Sequence, residues 1–415
     1  EDSSQRVILC DEQSEMGGSL LHETDGIVDG DAAPAFAMKR LHELRLRPNV
    51  TLLPRTTAFG FYPHNLLGLA ERVTEHLADP SPHLPRERLW QVRAGRVVFA
   101  TGSIERPLVF PDNDRPGIMM AEAARHYAVR YGALPGRRAV VFTAGDSAYR
   151  AALDLQARGV EIAAIADLRD APTGPYVEKA RLAGIPVYTG TSVSGTSGRL
   201  RIRSATLSRR GWQSGETIAC DCLLMSAGFT PTISLFSQSR GKMRWEEAIE
   251  AYVPAESVEN ERSVGACRGV FDLAGALADG HHAGGGDASP YRVEETAVGH
   301  GSFRGASFHA RDPRKVKAFV DFQNDVTAKD VRLATQEGFR SIEHVKRYTT
   351  TGMATDQGRL SNINALALVS KELGKPETAI GLTTFRPPYS PTTFGNFAGA
   401  GRGPLFDPIR TTPIH

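Results

Sequence analysis

The chain has 415 residues, enough for two or three domains that each bury a core. Its 49 Lys and Arg against 47 Asp and Glu leave a formal net charge of +2, which argues against nucleic acid or an anionic membrane as the main partner. No apolar run reaches membrane-spanning length, no signal-peptide pattern opens the sequence, and Cys10, Cys220, Cys222 and Cys267 form no disulfide framework, which points to a reducing, cytoplasmic compartment.

The stretch "RVILCDEQSEMGGSL" (6–20) reads as a short apolar strand closing on Asp11-Glu12, then a polar loop with Gly17-Gly18. In a dinucleotide-binding βαβ unit such an acidic pair closes the second strand and binds a ribose. The first strand and its Gly-x-Gly-x-x-Gly turn should precede it, and they are not in this sequence. "VTLLPRTTAFGFYPHN" (50–65) is a β-type run ending in a turn, and "QVRAGRVVFATGSIERP" (91–107) holds a strand over Arg96–Ala100. Pro-rich "PLVFPDNDRPGIM" (107–119) reads as a connection between domains.

A second βαβ pattern, "RRAVVFTAGDSAYRAALDLQARGVEIAAIADLR" (137–169), closes at Asp167. Thr143, Gly145 and Ala148 hold its three glycine places, and Asp146 sits where a phosphate would approach the helix. A carboxylate there caps a helix and repels pyrophosphate, so this Rossmann-type domain is expected not to bind a nucleotide. "GIPVYTGTSVSGTSG" and "RLRIRSATL" continue as strands, and "CDCLLMSAGFTP" (220–231) is expected to return the chain to the first domain. Cys220 and Cys222 read as strand residues; no second cysteine pair completes a metal site, and none is assigned.

"VGACRGVFDLAGALADGHHAGG" (264–285) reads as a strand end, a turn, and a helix from about Val270 whose N-terminus faces a dinucleotide phosphate. Adjacent His281 and His282 share no helix face and read as solvated or dipole-compensating rather than metal-binding. After a Gly/Ser/Arg-rich linker (about 299–314) that is expected to be exposed, "TAKDVRLATQEGFRSIEHVKRYT" (327–349) alternates charges around an apolar helical face. The tail from Thr383 carries Phe385, Tyr389, Phe394, Phe397 and Phe406, too many aromatics for disorder, and reads as an ordered loop that packs on something.

Taken together, "DEQSEMGG", "TTAFGFYPHN", "VVFATGSIERPLVFPDNDRPGIM", "SAGFTP" and "DLAGALADG", with "FVDFQNDVTAKDVRLA" and "VKRYTTTGMATDQGRLSN", resemble the two-dinucleotide-domain flavoprotein reductases, and most closely the alpha subunits of heterotetrameric sarcosine oxidase. The resemblance implies an α/β fold with two Rossmann-like domains, the second inserted in the first. Residues 1–136 and 223–300 would form the first, 137–222 the second. A small helical ferredoxin-like domain over 312–378 follows, then an ordered loop, 379–415. It further implies an internal fragment, lacking an upstream glycine turn and a downstream folate-binding domain that takes tetrahydrofolate. Related dehydrogenases hold a [2Fe–2S] cluster on four cysteines of the helical domain. The matching places here are Asp321, Gln323, Asp356 and Ser361, so the cluster is expected to be lost.

In that family the beta subunit oxidises sarcosine on FAD, and electrons pass through FMN at the alpha–beta border to dioxygen. Glycine, hydrogen peroxide and formaldehyde or 5,10-methylenetetrahydrofolate result; gamma and delta subunits complete the assembly. The alpha subunit binds NAD and walls the FMN site. Matched residue by residue, the resemblance implies NAD contacts at Asp11, Glu12, Gln13, Ser19, Ala58, Gly265, Ala266, Phe271 and Leu273, and FMN contacts at Asn362, Thr384 and Arg386. Asp11 would accept ribose hydroxyls and repel a 2′-phosphate. Helix packing explains Phe271 and Leu273 equally well, and a surface carboxylate could equally claim Arg386. Catalytic residues for amine oxidation are expected on another chain. Two other readings stand beside this one: an NAD(P)H-dependent flavin reductase, and a scaffold subunit with a vestigial site.

Overall fold

The computed structural model describes residues 5–209, 214–287, 289–299, 301–308, 311–398 and 412–414. It confirms the α/β class and the Rossmann-type layering.

In the first domain β1 (Val7–Cys10) precedes α1 (Ala33–Arg45), which carries Pro34 in its first turn, where a missing N–H costs nothing. β2 (Val50–Leu53) pairs with β1 in parallel, Val7 opposite Val50 and Cys10 opposite Leu53. An antiparallel meander follows: β3 (Thr56–Tyr62), β4 (Leu66–Arg72) and β5 (Glu87–Arg93). β6 (Val97–Phe99) pairs in parallel with a strand much later in the chain, Glu261–Ser263. Phe61 meets Phe99 edge-on at 5.0 Å in a core shared with Leu67, Leu69 and Leu235.

This sheet is in two halves. Among the described residues no ladder joins β1 to β6. Val7, Ile8 and Leu9 stay 47%, 42% and 40% exposed, and Val98 of β6 45%.

The second domain is a five-stranded parallel sheet built from β7 (Ile118–Met120), α2 (Ala121–Tyr131), β8 (Arg138–Thr143), α3 (Ser147–Gln156), β9 (Glu161–Asp167), α4 (Pro175–Leu182), β10 (Val187–Tyr188) and β11 (Cys222–Ser226), in strand order β7-β11-β8-β9-β10. An antiparallel triplet, Thr191–Ser197, Ser204–Arg209 and Glu216–Ala219, covers it. The sheet therefore starts before residue 137 and includes β11 as an interior strand between β7 and β8. The continuous run of Cys222, Leu223 and Leu224, all with no exposed surface, is the signature of a central parallel strand, not of a returning linker. The return falls at Phe229–Pro231, which pairs with Ser103–Glu105. Buried Arg106 ties this crossing: its guanidinium donates to Thr230 Oγ1 at 3.1 Å and to the carbonyls of Phe229 and Glu250 at 3.3 and 3.2 Å.

Helix α5 (Leu273–Ala283) starts at Leu273 rather than near Val270, because Asp272 caps it by accepting from Gly275 N at 2.6 Å. A short hairpin, β12 (Phe319–Asp321) and β13 (Val326–Thr327), opens the helical domain. The expected single helical run splits into α6 (Ala328–Gln336) and α7 (Ile342–Thr349): Gly338 takes φ +95° and Ser341 is the next N-cap. They enclose α8 (Asn362–Leu373) around Val331, Ile342, Val345, Leu368 and Val369. The tail packs on the first domain over its described part. Tyr389 N donates to Phe59 O at 2.8 Å, and Phe397 meets the Phe59 ring edge-on at 5.5 Å. Phe406 lies outside the described residues.

Candidate functional site

The residues expected at the adenosine half of a dinucleotide site gather where β1 stops. Asp11 Oδ1 accepts the backbone N–H of Gln13 at 2.9 Å, a turn that aims the carboxylate outward. The turn is fastened to the next strand: Thr56 N donates to Asp11 O and Arg55 N to Gln13 O, both at 2.8 Å. Arg72 holds Glu12 O at 2.8 Å. Asp11, Glu12, Gln13 and Ala58 thus form one group at the start of β3, with Ala58 half-buried against the core. Ser19 is exposed on the 3₁₀ turn Gly18–His22, entered through Gly17 at φ +137°. Asp11 Oδ2 has no partner among the described residues and is free to accept ribose hydroxyls.

Gly265 and Ala266 sit in a separate turn after Glu261–Ser263. Ala266 supplies no carboxylate, but Asp279 of α5 accepts Gly265 N at 2.8 Å and pairs with Arg268 at 2.8 Å. Leu273 lies beside Gly26, and Phe271 rests against Phe229 at 6.1 Å, so both have packing roles. The N-terminus of α5, expected to face phosphate, is already satisfied. Glu295 accepts Leu273 N at 3.1 Å and Ala274 N at 3.0 Å, which makes this helix end a poor phosphate seat. No sequence spacing pointed to Glu295.

The phosphate turn of the second domain is closed by the protein itself. Asp146, with no exposed surface, pairs with Arg169 at 2.7 Å; Arg169 also donates to Asp167 Oδ2 at 2.7 Å, and Tyr149 OH donates to the same oxygen at 2.8 Å. Burial and then the Asp167 charge drive the Tyr149 pKa far up, keeping it a donor. Above this cluster the chain crosses at Gly299 and Gly301. A Cβ on Gly301 would stand 2.0 Å from Ala144 O, and one on Gly299 would stand 2.3 Å from Asp146 Oδ2. Phe303 N then bonds Ala227 O at 3.0 Å. The two positions where a nucleotide would sit hold an internal ion cluster and a glycine strap.

On the helical domain a small cleft of about 50 Å³ opens between Ile104, Thr232, Arg359, Asn362, Phe385 and Tyr389. Gln357 organises it: its side chain donates to Arg386 O at 2.9 Å and accepts Arg386 N at 3.2 Å, and its carbonyl accepts Asn362 Nδ2 at 3.1 Å. This joins Asn362 to Arg386. Thr384 N is held by Glu343 at 2.8 Å, leaving its hydroxyl exposed. Asn362 Oδ1 is buried and unpartnered. Arg386 has no carboxylate partner among the described residues. Lys346 lies near it; burial, and then Arg386 and Arg347 against the pull of Glu343, lower its pKa. Gln357 and Arg359 stand inside "DQGRLSN" without a pattern of their own to single them out, and Lys346 gave no signal in sequence.

Asp321, Gln323, Asp356 and Ser361, the places that the resemblance matches to cluster cysteines, are used for hydrogen bonds. Asp321 accepts Gln323 N at 2.9 Å, Asn324 N at 3.1 Å and Gly352 N at 2.7 Å, and lies 3.5 Å from Ser361 Oγ. Gln323 accepts from Thr355 and Asp356 from Gly358 N. A buried carboxylate receiving three backbone donors does locally what cluster thiolates would do, fixing the loops around one centre.

The two dinucleotide-type domains meet across a buried polar seam. Glu105 Oε2 accepts Glu122 N at 2.8 Å, while Oε1, Glu122 Oε2, His22 Nδ1 and Ser226 Oγ are buried without partners. Burial and then the Glu122 charge push the Glu105 carboxyl up to about 8. Burial also opposes ionisation of Glu122, but the His22 hydrogen bond and the Arg125 and Arg150 charges outweigh it and hold Glu122 at about 2.

Two Rossmann-type sheets, one interrupted by the other, define a two-domain dinucleotide-fold oxidoreductase. The chain belongs to the pyridine nucleotide-disulphide oxidoreductase family, whose model matches residues 6–255, and residues 315–402 match the sarcosine oxidase A3 domain. Over 99% of its length it is 44% identical to the sarcosine oxidase alpha chain of Rhizobium meliloti (strain 1021), and over its whole length 39% identical to that of Corynebacterium sp. (strain P-1). It spans 41% and 45% of those relatives. An opine oxidase chain of Rhizobium meliloti (strain 1021) is 22% identical, with 96% of this chain and 94% of that one covered. Among solved structures, L-proline dehydrogenase from P. horikoshii superposes with a TM-score of 0.70 at 20% identity, covering 95% of this chain and 74% of that chain, a likeness of fold.

Proposed function

We propose that the chain is the dinucleotide-domain part of a sarcosine oxidase alpha subunit, serving oxidative demethylation of sarcosine. The carrying observation is the 44% identity to such a chain through both dinucleotide-type domains and the helical domain. Its own contribution would be binding, with the bond-breaking residues on another chain; the buried thiols of Cys220 and Cys222, pushed up to about 11 and 12 by burial and then the Asp221 charge, make poor nucleophiles. NAD would bind through Asp11, Glu12, Gln13, Ser19 and Ala58, the adenosine half that the geometry fits; the α5 end, filled by Glu295, does not suit the pyrophosphate. FMN, shared with the beta subunit, would supply electron transfer; Asn362, Thr384 and Arg386 would line it, with Arg386 and the neighbouring Lys346 toward its phosphate. The beta subunit would hold FAD, a further domain would hold tetrahydrofolate, and gamma and delta subunits would be the remaining partners in the cytoplasm. The test is cofactor extraction from the full-length protein purified with its partners. NAD supports this reading, FAD held by this chain supports a flavin reductase, and no nucleotide supports a scaffold.

A further inference from the structure

We infer that the second domain is a positioning device for the cofactor loop of the first: Arg125 and Arg150 hold the run His22-Glu23-Thr24-Asp25, and through it the Gly17–Ser19 loop, in the arrangement that binds dinucleotide. This rests on the reading of the Asp11–Ser19 region as the NAD site.

Four consecutive residues of the first domain each bond a side chain of the second. His22 Nε2 lies 3.2 Å from Glu122 Oε1, and its ring stacks on His126 at 4.3 Å. Glu23 Oε2 accepts from Arg150 at 3.0 Å, Thr24 Oγ1 donates to Asp154 Oδ2 at 3.1 Å, and Asp25 Oδ2 accepts from Tyr176 OH at 2.7 Å. These partners come from α2, α3 and α4. Arg125, its side chain 1% exposed, joins them: it donates to Asp154 at 2.6 Å, Glu122 at 2.8 Å and Thr24 Oγ1 at 3.3 Å. Because each residue faces a different partner, a slip of one position would break all four contacts.

The grip reaches the loop itself. Arg130 of α2 pairs with Glu15 and donates to Leu21 O at 3.5 Å. Inside the loop Leu20 N bonds Gly17 O and Glu23 N bonds Leu20 O, so the run and the glycine turn share one backbone chain of bonds. A buried ion network is weak evidence for stability, since apolar packing of equal volume serves as well; its best-attested use is to fix one geometry. With its own phosphate seat closed by Asp146, Arg169 and the glycine strap, the second domain has this loop as the dinucleotide-binding element within reach.

The experiment uses the full-length protein with its partner subunits, NAD titration by calorimetry, and hydrogen exchange over residues 15–25. Arg150→Met and Glu23→Gln should each weaken NAD about tenfold and speed exchange over 17–22, and the double variant should be no weaker than either single one. Arg125→Met should do the same where it folds. Unchanged affinity and unchanged exchange in Arg150→Met and Glu23→Gln, whatever their melting temperatures, would overturn the inference. If the unmodified protein binds no NAD, the NAD reading has failed, and exchange over 17–22 still decides whether α2 and α3 position the loop.

Discussion

Replacing Glu105 by Gln should remove an alkaline weakness built into the domain seam. The carboxyl is buried, accepts Glu122 N, lies beside Ser226, and is held up to about 8 by burial and by the Glu122 charge. Its unfolded value is the ordinary one near 4.5. A group whose pKa is raised by folding favours the fold fully below about 4.5, and that support drains away as pH climbs through 8. The difference corresponds to about 5 kcal/mol, accumulated at up to about 1.4 kcal/mol per pH step. Glutamine keeps the acceptor for Glu122 N and offers donors to Glu122 Oε2 or Ser226 Oγ, both now unpartnered. Urea unfolding of wild type and Glu105→Gln at pH 5, 7 and 9 reads the effect: the variant should gain on wild type by several kcal/mol between pH 5 and 9. Parallel stability curves across that range would refute the reasoning. The signature is distinct from that of Glu122, whose depressed pKa supports the fold above about 4.5 and fails only as pH drops toward 2.

Asp321→Ala should cost about 2–4 kcal/mol, since Gln323, Asn324 and Gly352 lose a shared buried acceptor; thermal melts of the full-length protein check it. Iron and acid-labile sulfide assays on anaerobically purified protein should read blank, because no thiol stands at Asp321, Gln323, Asp356 or Ser361. Gly301→Ala should displace the strap over Ala144, seen as new protease cleavage between 297 and 304, without creating an NADPH site, because Asp146 still repels phosphate. In the full-length protein Asp11→Ala should weaken NAD about tenfold or more by removing the ribose acceptor, measured by calorimetry.

Strand–turn–helix alternation made the α/β class legible, and Thr143, Asp146 and Ala148 marked the phosphate turn of the second domain as an altered site. The strap that closes that site was not legible, because its two glycines lie some 150 residues away and touch the turn only in the fold. The boundary at 137 misplaced β7 and α2 for a related reason: Ile118–Met120 reads as a linker end until Leu223 and Leu224 are seen pairing with it. Asp11 was legible as the close of an apolar strand, whereas Glu295 was not, since a carboxylate filling a helix end across a loop has no fixed spacing. In the wall over 357–386, "DQGRLSN" and "TTFR" were picked out by resemblance, but Gln357 as the residue joining them emerges only from its bonds to both.

The most direct test is oxygen uptake by the full-length chain co-purified with its partner subunits. The account predicts uptake and hydrogen peroxide on adding sarcosine, with NAD recovered from this chain after denaturation. No uptake with sarcosine, together with flavin reduction driven by NADH or NADPH in this chain alone, would contradict it.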